Sequence, residues 1–263
     1  MSNRIRKLNF ALMTTLVLQA AALFSPSAAT AQTSAFLKRP YYGRGPSGIG
    51  WTATFDHRSP NYTRNNMHLH YNGVELPSYR NPDGSANCPH GPTYCYDGHS
   101  GYDLPLAYQP VVASASGTVI YSSWDNPDHD VGYGLMVEID HGNSHKTRYG
   151  HLSMVRYTPG TAVGNWQIGT SGNTGNSRGA HLHFEVLYYQ SGWRTKDPYG
   201  WTGGYPDPWQ QHTDGTTSEW LWLPYPQREQ TPPTYSGDYL LDNDDAYYPN
   251  NFVLGCNAGH WSG

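Results

Sequence analysis

Short segments of the chain cluster apolar residues or alternate them with polar ones, and turn-forming residues separate these segments. Segments rich in Val, Ile and aromatic residues and bounded by Gly, Asn and Asp are typical of β-strands. No long stretch repeats its apolar residues with the helical period. The pattern predicts an all-β fold, an antiparallel sheet closed into a small sandwich or barrel, with long loops in the flanking regions. The predicted central strands are residues 111–115, 117–121, 135–140, 147–152 and 180–186, with a hairpin turn at 141–144.

The last of these strands, residues 180–186, carries two histidines. Successive side chains of a strand point to opposite faces, so His181 and His183 share one face while Leu182 and Phe184 occupy the other. One imidazole of such a pair can bind a metal ion while the other handles a proton beside it. Two solvent-exposed histidines on a sheet would give the same pattern, so this segment alone leaves both interpretations open.

The N-terminal 31 residues have the pattern of a secretory signal peptide. Basic residues between Arg4 and Lys7 precede an apolar stretch at 10–24, and Ala-Thr-Ala at 29–31 is a cleavage motif. The apolar stretch is shorter than the ~20 residues that a membrane-spanning helix needs. We therefore expect cleavage near Ala31 and an exported mature protein, in the extracellular space, the periplasm or at the cell wall, with no transmembrane segment.

Composition narrows the class of partner. The 263-residue chain has 16 Lys and Arg against 20 Asp and Glu, and residues 1–31 hold three of the basic and none of the acidic ones. The mature chain would keep 13 basic and 20 acidic side chains, a net charge of −7. A weakly acidic surface argues against nucleic acid as the partner. Abundant Tyr, Trp, Gly and Pro suit a β-rich secreted protein with long ordered loops.

Three cysteines remain after the predicted cleavage: Cys88, Cys95 and Cys256. Export makes a disulfide plausible. We favour a Cys88–Cys95 pair around a short loop, with Cys256 free or replacing one of the two. A Cys/His zinc knot that includes His90 is disfavoured, because the spacing matches no structural zinc module.

The stretches on either side of the predicted core give weaker patterns. Residues 32–50 hold few apolar side chains and are interpreted as a loose lead-in. The run 67–71 alternates like a strand, but no acidic residue follows at a useful spacing, so His68 and His70 are interpreted as strand-surface histidines. The acidic run 242–245 is interpreted as a solvated loop, because the other ligands of an EF-hand calcium loop are missing.

A second chemical pattern begins at His99 and ends at Asp103. On a straight strand these residues would lie ~13 Å apart, whereas the ligands of one zinc ion place their donor atoms within ~2.0–2.2 Å of it. The segment must therefore bend if both bind one ion, and Gly98 and Gly101 permit that bend. Two histidines and one carboxylate would leave a position open for water, which is the catalytic zinc pattern. His151, at the end of its predicted strand, is a further candidate for the site.

Taken together, the motifs resemble those of the lysostaphin-type (LytM-type) zinc metalloendopeptidases over about residues 96–188. Each motif alone is common, and their order along the chain makes the resemblance specific. The matching motifs are His99-x-x-x-Asp103, Ala115-Ser-Gly-Thr-Val119, Tyr149-Gly150-His151-Leu152-Ser153, Gly169-Thr-Ser-Gly-Asn-Thr-Gly175 and His181-Leu182-His183-Phe184.

The resemblance implies a groove-bearing antiparallel fold of the duplicated hybrid motif type, with one zinc ion held by His99, Asp103 and His183. It implies that His151 and His181 are catalytic and that the substrate is a peptide bond in bacterial peptidoglycan stem peptides or cross-bridges. The division expected from it is a signal peptide at 1–31, an N-terminal extension at 32–95, a zinc peptidase domain at 96–195, and a C-terminal extension packed on that domain at 196–263.

Within that scheme, zinc would lower the pKa of a bound water and polarise the scissile carbonyl. We expect His181 to take the proton and His151 to donate a hydrogen bond to the oxyanion, with the two roles exchangeable. Tyr149, two residues before His151, is expected on the same strand face and is a candidate groove residue. The family often has Pro where this chain has Ala180 and Ala where it has Gly150; neither position is a ligand, so these departures bear on substrate preference alone.

Two alternatives stay open at the level of sequence. Non-catalytic relatives bind cell wall or activate another hydrolase, and these usually lose zinc ligands, whereas all five expected site residues are present here. A peptidase with another extracellular protein target fits the same residues. Latency is a further possibility, in which residues 32–95 cover the groove until they are removed.

Overall fold

The computed structural model describes residues 35–58, 66–80, 86–87, 97–204, 206–231 and 253–254. The predicted signal peptide, the three cysteines and the acidic run 242–245 lie outside these residues. Among the described residues, no helix has both the length and the hydrophobicity to cross a bilayer.

Every regular element in the described part of the chain is a β-strand, as the sequence predicts. The first four strands are β1 (Met67–Leu69), β2 (Glu75–Pro77), β3 (Tyr79–Arg80) and β4 (Ala86–Asn87). The strands that follow are β5 (Tyr102–Leu104), β6 (Pro110–Val112), β7 (Gly117–Trp124), β8 (Leu135–Asp140), β9 (His145–Val155), β10 (Ala162–Val163), β11 (Gln167–Ser171), β12 (Leu182–Tyr189), β13 (Trp193–Lys196) and β14 (Val253–Leu254).

Ten of these strands form one antiparallel sheet. One path of neighbouring strands through it is β10-β7-β8-β9-β11-β6, while β12 pairs with β5, β9 and β13. The hairpin between β8 and β9 closes where the His141 N–H donates to the His145 carbonyl at 3.0 Å, which confirms the predicted turn. Strand β8 has the predicted bounds. The all-β antiparallel fold class is confirmed.

The core lies against one face of β12 and β9. Leu182 and Phe184 are buried in it, together with Val137 and Ile139 of β8. This agrees with the predicted alternation, which gives the opposite face of β12 to the two histidines. The site is therefore built on strands that the hydrophobic core fixes from behind.

Residues 35–50 are not the loose lead-in that the sequence suggested. Leu37 is fully buried in the main core, and its N–H donates to the Leu221 carbonyl at 2.9 Å. The Leu223 N–H in turn donates to the Leu37 carbonyl at 2.9 Å. The partner segment is more than 180 residues away, so no local pattern could reveal this pairing. Side chains from the N-terminal, central and C-terminal stretches thus share one core.

The interpretation of His68 and His70 as surface residues is also wrong, because both are buried. His68 Nε2 lies 2.9 Å from the Thr54 hydroxyl. His70 packs edge-on against Trp51, with ring centroids 5.8 Å apart. Strand alternation assigns side chains to faces, but the layer that covers a face comes from elsewhere in the chain, here the segment around Trp51 and Thr54.

Candidate metal centre and active site

Strands β5 and β12 bring the first two site residues together. In their antiparallel register Asp103 lies directly opposite His183, a position in which side chains on one face meet. Asp103 Oδ1 is 2.9 Å from His183 Nδ1. Gly101 makes this approach possible, because a Cβ there would stand 2.5 Å from the Phe184 carbonyl oxygen.

The bend expected between His99 and Asp103 is present, at Gly101. Gly98, just before His99, adopts a left-handed conformation with φ of 77°, which costs glycine little. His99 Nε2 lies 3.2 Å from Asp103 Oδ1 and 3.1 Å from His183 Nδ1. Three potential ligand atoms therefore form a triangle with sides of about 3 Å.

This triangle fits a zinc ion. Ligands in tetrahedral zinc sites lie ~2.0–2.1 Å from the ion, which places neighbouring donor atoms roughly 3.3 Å apart. Among the described His, Cys, Asp and Glu residues, these three form the one group whose donor atoms come close enough to share an ion. Two histidines and one carboxylate are hard-to-intermediate ligands that suit Zn²⁺ and leave a coordination position open.

The outer nitrogens of both imidazoles are engaged by other groups. His99 Nδ1 is 3.0 Å from the Thr54 carbonyl oxygen, so it carries the proton and donates. His183 Nε2 is 3.1 Å from Glu185 Oε1. Each ring thus turns its other nitrogen toward Asp103. Such partners fix the orientation of metal-binding histidines.

The electrostatics of the three residues reflect their mutual contact. Burial alone would raise the pKa of Asp103, but the surrounding histidines hold it well below its usual range. Burial alone would lower the pKa of His183, yet hydrogen bonds to Asp103 and Glu185 raise it to about 9. The carboxylates of Asp103 and Glu185 therefore favour positive charge at this position.

Two further histidines lie beside this triangle. His181 Nε2 is 3.5 Å from Asp103 Oδ1, and its ring centroid is 4.7 Å from that of His151. The centroid of the His151 ring is 5.8 Å from that of His183. The structure thus brings His99, Asp103, His151, His181 and His183, five of the six expected site residues, into one cluster.

Both of these extra histidines donate through Nδ1 to backbone carbonyls. His151 Nδ1 is 2.7 Å from the Thr174 carbonyl oxygen, and His181 Nδ1 is 2.7 Å from that of Gly179. Burial and the neighbouring histidines lower the pKa of His151 to about 3. Burial would also lower the pKa of His181, but its hydrogen bond to Asp103 raises it above the usual value. His181 therefore takes up a second proton more readily than His151 does.

Tyr149, the sixth expected residue, does not line the site. Its side chain is 0 % exposed and lies in the main core. Its hydroxyl accepts a hydrogen bond from the Ser114 N–H at 2.7 Å. A Cβ on Gly150 would lie 3.5 Å from His183 Cβ, so position 150 faces the site. His151 then reaches the same side because its φ of 58° interrupts the alternation of the strand.

Several groups that orient the site could not be predicted from the sequence. Thr54, Thr174 and Gly179 contribute backbone carbonyls, which do not depend on the type of residue. Glu185 could have been predicted, because it follows His181 and His183 at the same two-residue spacing and so shares their face.

Comparison with known proteins finds similarity in the part of the chain that carries these residues. The model of Peptidase family M23 matches residues 97–197. The peptidoglycan DD-endopeptidase ShyA of Vibrio cholerae is 40 % identical over 91 residues, which are 34 % of this chain and 20 % of that protein. The DD-carboxypeptidase/endopeptidase Mpg of Neisseria meningitidis is 39 % identical over 89 residues, again 34 % of this chain and 20 % of that protein.

Among solved structures, the catalytic domain of lysostaphin from Staphylococcus simulans is 28 % identical. The match covers 40 % of this chain and 77 % of that one, with a TM-score of 0.33. The chain spans about one fifth of the length of the two curated relatives. The family expected from the ordered motifs is confirmed, and residues 97–197 are a domain of peptidase family M23.

Proposed function

We propose that this protein is an exported zinc metalloendopeptidase that hydrolyses peptide bonds in the stem peptides or cross-bridges of bacterial peptidoglycan. The observation that supports it most is the convergence of His99 Nε2, Asp103 Oδ1 and His183 Nδ1 within 3.2 Å of one another. The names of the two curated relatives, a peptidoglycan DD-endopeptidase and a DD-carboxypeptidase/endopeptidase, support the substrate class. The predicted signal peptide supports export.

In this proposal His99, Asp103 and His183 hold one Zn²⁺. When bound, the ion supplies a Lewis acid that acidifies water and polarises the scissile carbonyl. His181 accepts the proton of the attacking water at Nε2, because its Nδ1 proton is committed to the Gly179 carbonyl. Asp103, 3.5 Å away, stabilises the resulting imidazolium. Protonated His181 then gives the proton to the leaving amine.

His151 has a different task in this proposal. Donation of a hydrogen bond to an oxyanion would need a proton on its Nε2. The proton sits on Nδ1, where the Thr174 carbonyl holds it, and the pKa of about 3 opposes a second one. We therefore assign His151 to orient the attacking water as a hydrogen-bond acceptor, in place of the oxyanion role expected from the sequence.

Hydrolysis of purified peptidoglycan tests this function. Release of new amino termini that stops with a chelator and returns with zinc is the expected result, and mass spectrometry of the products names the bond. A chain that binds peptidoglycan without cleaving it would support the cell-wall-binding alternative. Cleavage of another extracellular protein in place of peptidoglycan would support the peptidase with a different target.

A further inference from the structure

Glu185 is a fully buried carboxylate immediately behind the candidate metal centre. It lies on β12 two residues after His183, and its Oε1 accepts a hydrogen bond from His183 Nε2 at 3.1 Å. None of the steps proposed above brings it to the substrate. Burying a carboxylate costs free energy unless the group is paired. The partners of Glu185 therefore indicate what it does.

The contacts around Glu185 are all with donors. The Tyr133 hydroxyl donates to Oε1 at 2.8 Å, and the Ser100 hydroxyl donates to the same oxygen. Arg148 Nη1 donates to Oε2 at 2.7 Å. An ionised carboxylate only accepts hydrogen bonds, so this surrounding selects the ionised form and leaves the His183 N–H as one more donor.

Arg148 is itself shared between two carboxylates. Its Nη2 and Nε contact Glu138 Oε1 at 2.6 Å and 2.8 Å, while Nη1 contacts Glu185. The guanidinium is a rigid planar fork, and with one side fixed on Glu138 the other side holds the Glu185 carboxylate in place. Glu75, whose carboxylate pairs with the exposed Arg58 at 2.7 Å, takes no part in these contacts and serves as a control of the same residue type.

We propose that Glu185 is a positioning residue that fixes His183 as the Nε2–H tautomer and so keeps the Nδ1 lone pair directed at the metal position. The inference rests on the metal site of the proposed function. Imidazole has two tautomers, and the proton goes to the nitrogen that faces an acceptor. Asp103 Oδ1 also faces this ring, at Nδ1, but that oxygen would be taken by the ion. Glu185 is then the carboxylate acceptor left for the single ring proton of a metal-bound His183, and a proton on Nδ1 would block the ligand atom.

Glu185→Gln tests this proposal with little change in volume. A glutamine amide has one acceptor oxygen and one donor nitrogen. If the oxygen stays with Arg148, the amide nitrogen faces His183 Nε2 and favours the tautomer with the proton on Nδ1. If the oxygen turns to His183, the amide nitrogen faces the Arg148 cation. The first arrangement disfavours the His183 tautomer that can bind zinc. The second weakens the contact of Arg148 with residue 185, which is the residue that selects this tautomer.

The measurement is the zinc dissociation constant of wild-type, Glu185→Gln and Glu75→Gln proteins, by competition with a chromophoric chelator. We expect Glu185→Gln to weaken zinc binding roughly 10–100-fold and Glu75→Gln to leave it unchanged. In the zinc-loaded wild type, ¹⁵N NMR of histidine should show a slowly exchanging His183 Nε2–H, and this resonance should shift or vanish in Glu185→Gln. A role limited to stability would leave the tautomer of His183, read from the ¹⁵N shifts of Nδ1 and Nε2, unchanged.

Wild-type zinc affinity and an unaltered His183 Nε2–H in Glu185→Gln would overturn the inference while leaving the proposed function intact. Failure of the wild-type protein to bind zinc would overturn both. Should Glu185→Gln not fold, Glu185→Asp keeps the charge and shortens the side chain by one methylene, so the carboxylate no longer reaches Nε2. The same loss of zinc affinity is expected there, and unchanged affinity overturns the inference.

Discussion

Asp103 and His183 face each other across two antiparallel strands, and their Oδ1 and Nδ1 atoms are 2.9 Å apart. His99 completes the triangle because the chain bends at Gly101, between it and Asp103. A cross-strand pair that the core holds from behind gives the proposed zinc site rigid support.

Removal of a proposed ligand should abolish stoichiometric zinc binding. We expect His99→Ala and His183→Ala to bind no zinc after dialysis, because two remaining protein ligands do not hold a catalytic zinc site. Elemental analysis of the purified proteins measures this. His212→Ala is the control, because His212 is exposed and should leave the zinc content at the wild-type value.

Substitution of the two neighbouring histidines should separate catalysis from binding. We expect His181→Ala and His151→Ala to retain about one zinc. His181→Ala should lose roughly 10²–10⁴-fold in kcat, the usual contribution of a general acid–base group, and His151→Ala should lower kcat because the attacking water is no longer held in place. The rate of peptidoglycan hydrolysis and the zinc content together give the answer. Full activity in zinc-loaded His181→Ala would remove its assigned role as proton acceptor.

Substitution of Gly101 by Ala should disturb the site through the backbone. The new Cβ would stand 2.5 Å from the Phe184 carbonyl oxygen and 2.8 Å from Glu185 Cγ, so β5 has to move away from β12. We expect a loss of ~1–3 kcal/mol in the free energy of unfolding, as for overpacked cores, together with weaker zinc binding. Chemical denaturation and zinc titration measure the two effects.

Gly164→Ala is the matched control for that substitution. A Cβ at position 164 has its nearest neighbour, Trp166 Nε1, at 3.5 Å, which is an ordinary contact. Equal effects of the two glycine substitutions would show that the close approach of β5 to β12 is not needed for the site.

Tyr149→Phe tests the corrected position of this residue. Loss of the hydroxyl leaves the Ser114 N–H without its acceptor, and an unmade buried hydrogen bond costs about 1–3 kcal/mol. We expect lower stability with an unchanged KM for peptidoglycan fragments. A raised KM in the folded variant would return Tyr149 to the substrate-binding surface.

Stability should fall in mildly alkaline solution because of His57. This buried ring contacts Asp197 Oδ2 at 2.6 Å and Asp207 Oδ1 at 3.0 Å. Burial alone would lower its pKa, but the two carboxylates raise it from 6.5 to about 9. The folded protein therefore keeps this proton to higher pH than the unfolded chain, and the stabilisation is fully present below about pH 6.5 and lost as the pH rises through about 9.

The size of that effect can be measured by urea denaturation between pH 6 and pH 10. A shift from 6.5 to about 9 corresponds to about 3 kcal/mol. His57→Gln lacks the titrating group, so its stability should change less over the same range. An equal alkaline loss in both proteins would assign it to other groups.

The sequence predicted those parts of the structure that local patterns encode. Alternation placed β8 and assigned Leu182 and Phe184 to the core. Motif order, together with spacing, indicated the family and the cluster of five histidine and aspartate residues. The bend between His99 and Asp103 followed from the distance between these residues on a straight strand.

Other features depend on contacts that a local pattern does not carry. The left-handed φ of His151 interrupts strand alternation, so Tyr149 was assigned to the wrong face. The burial of His68 depends on Thr54, which comes from a separate segment. The carbonyl groups that orient His99, His151 and His181 belong to the backbone. Every residue has such a group, so the amino-acid sequence does not predict which ones contact the site.

An anomalous difference map at the zinc absorption edge, from crystals of the zinc-loaded protein, tests the central claim most directly. The account predicts one strong peak within bonding distance of His99 Nε2, Asp103 Oδ1 and His183 Nδ1, with His151 and His181 beside it but not bound to it. The absence of a peak at this position, or a peak bound by other residues, would contradict the account.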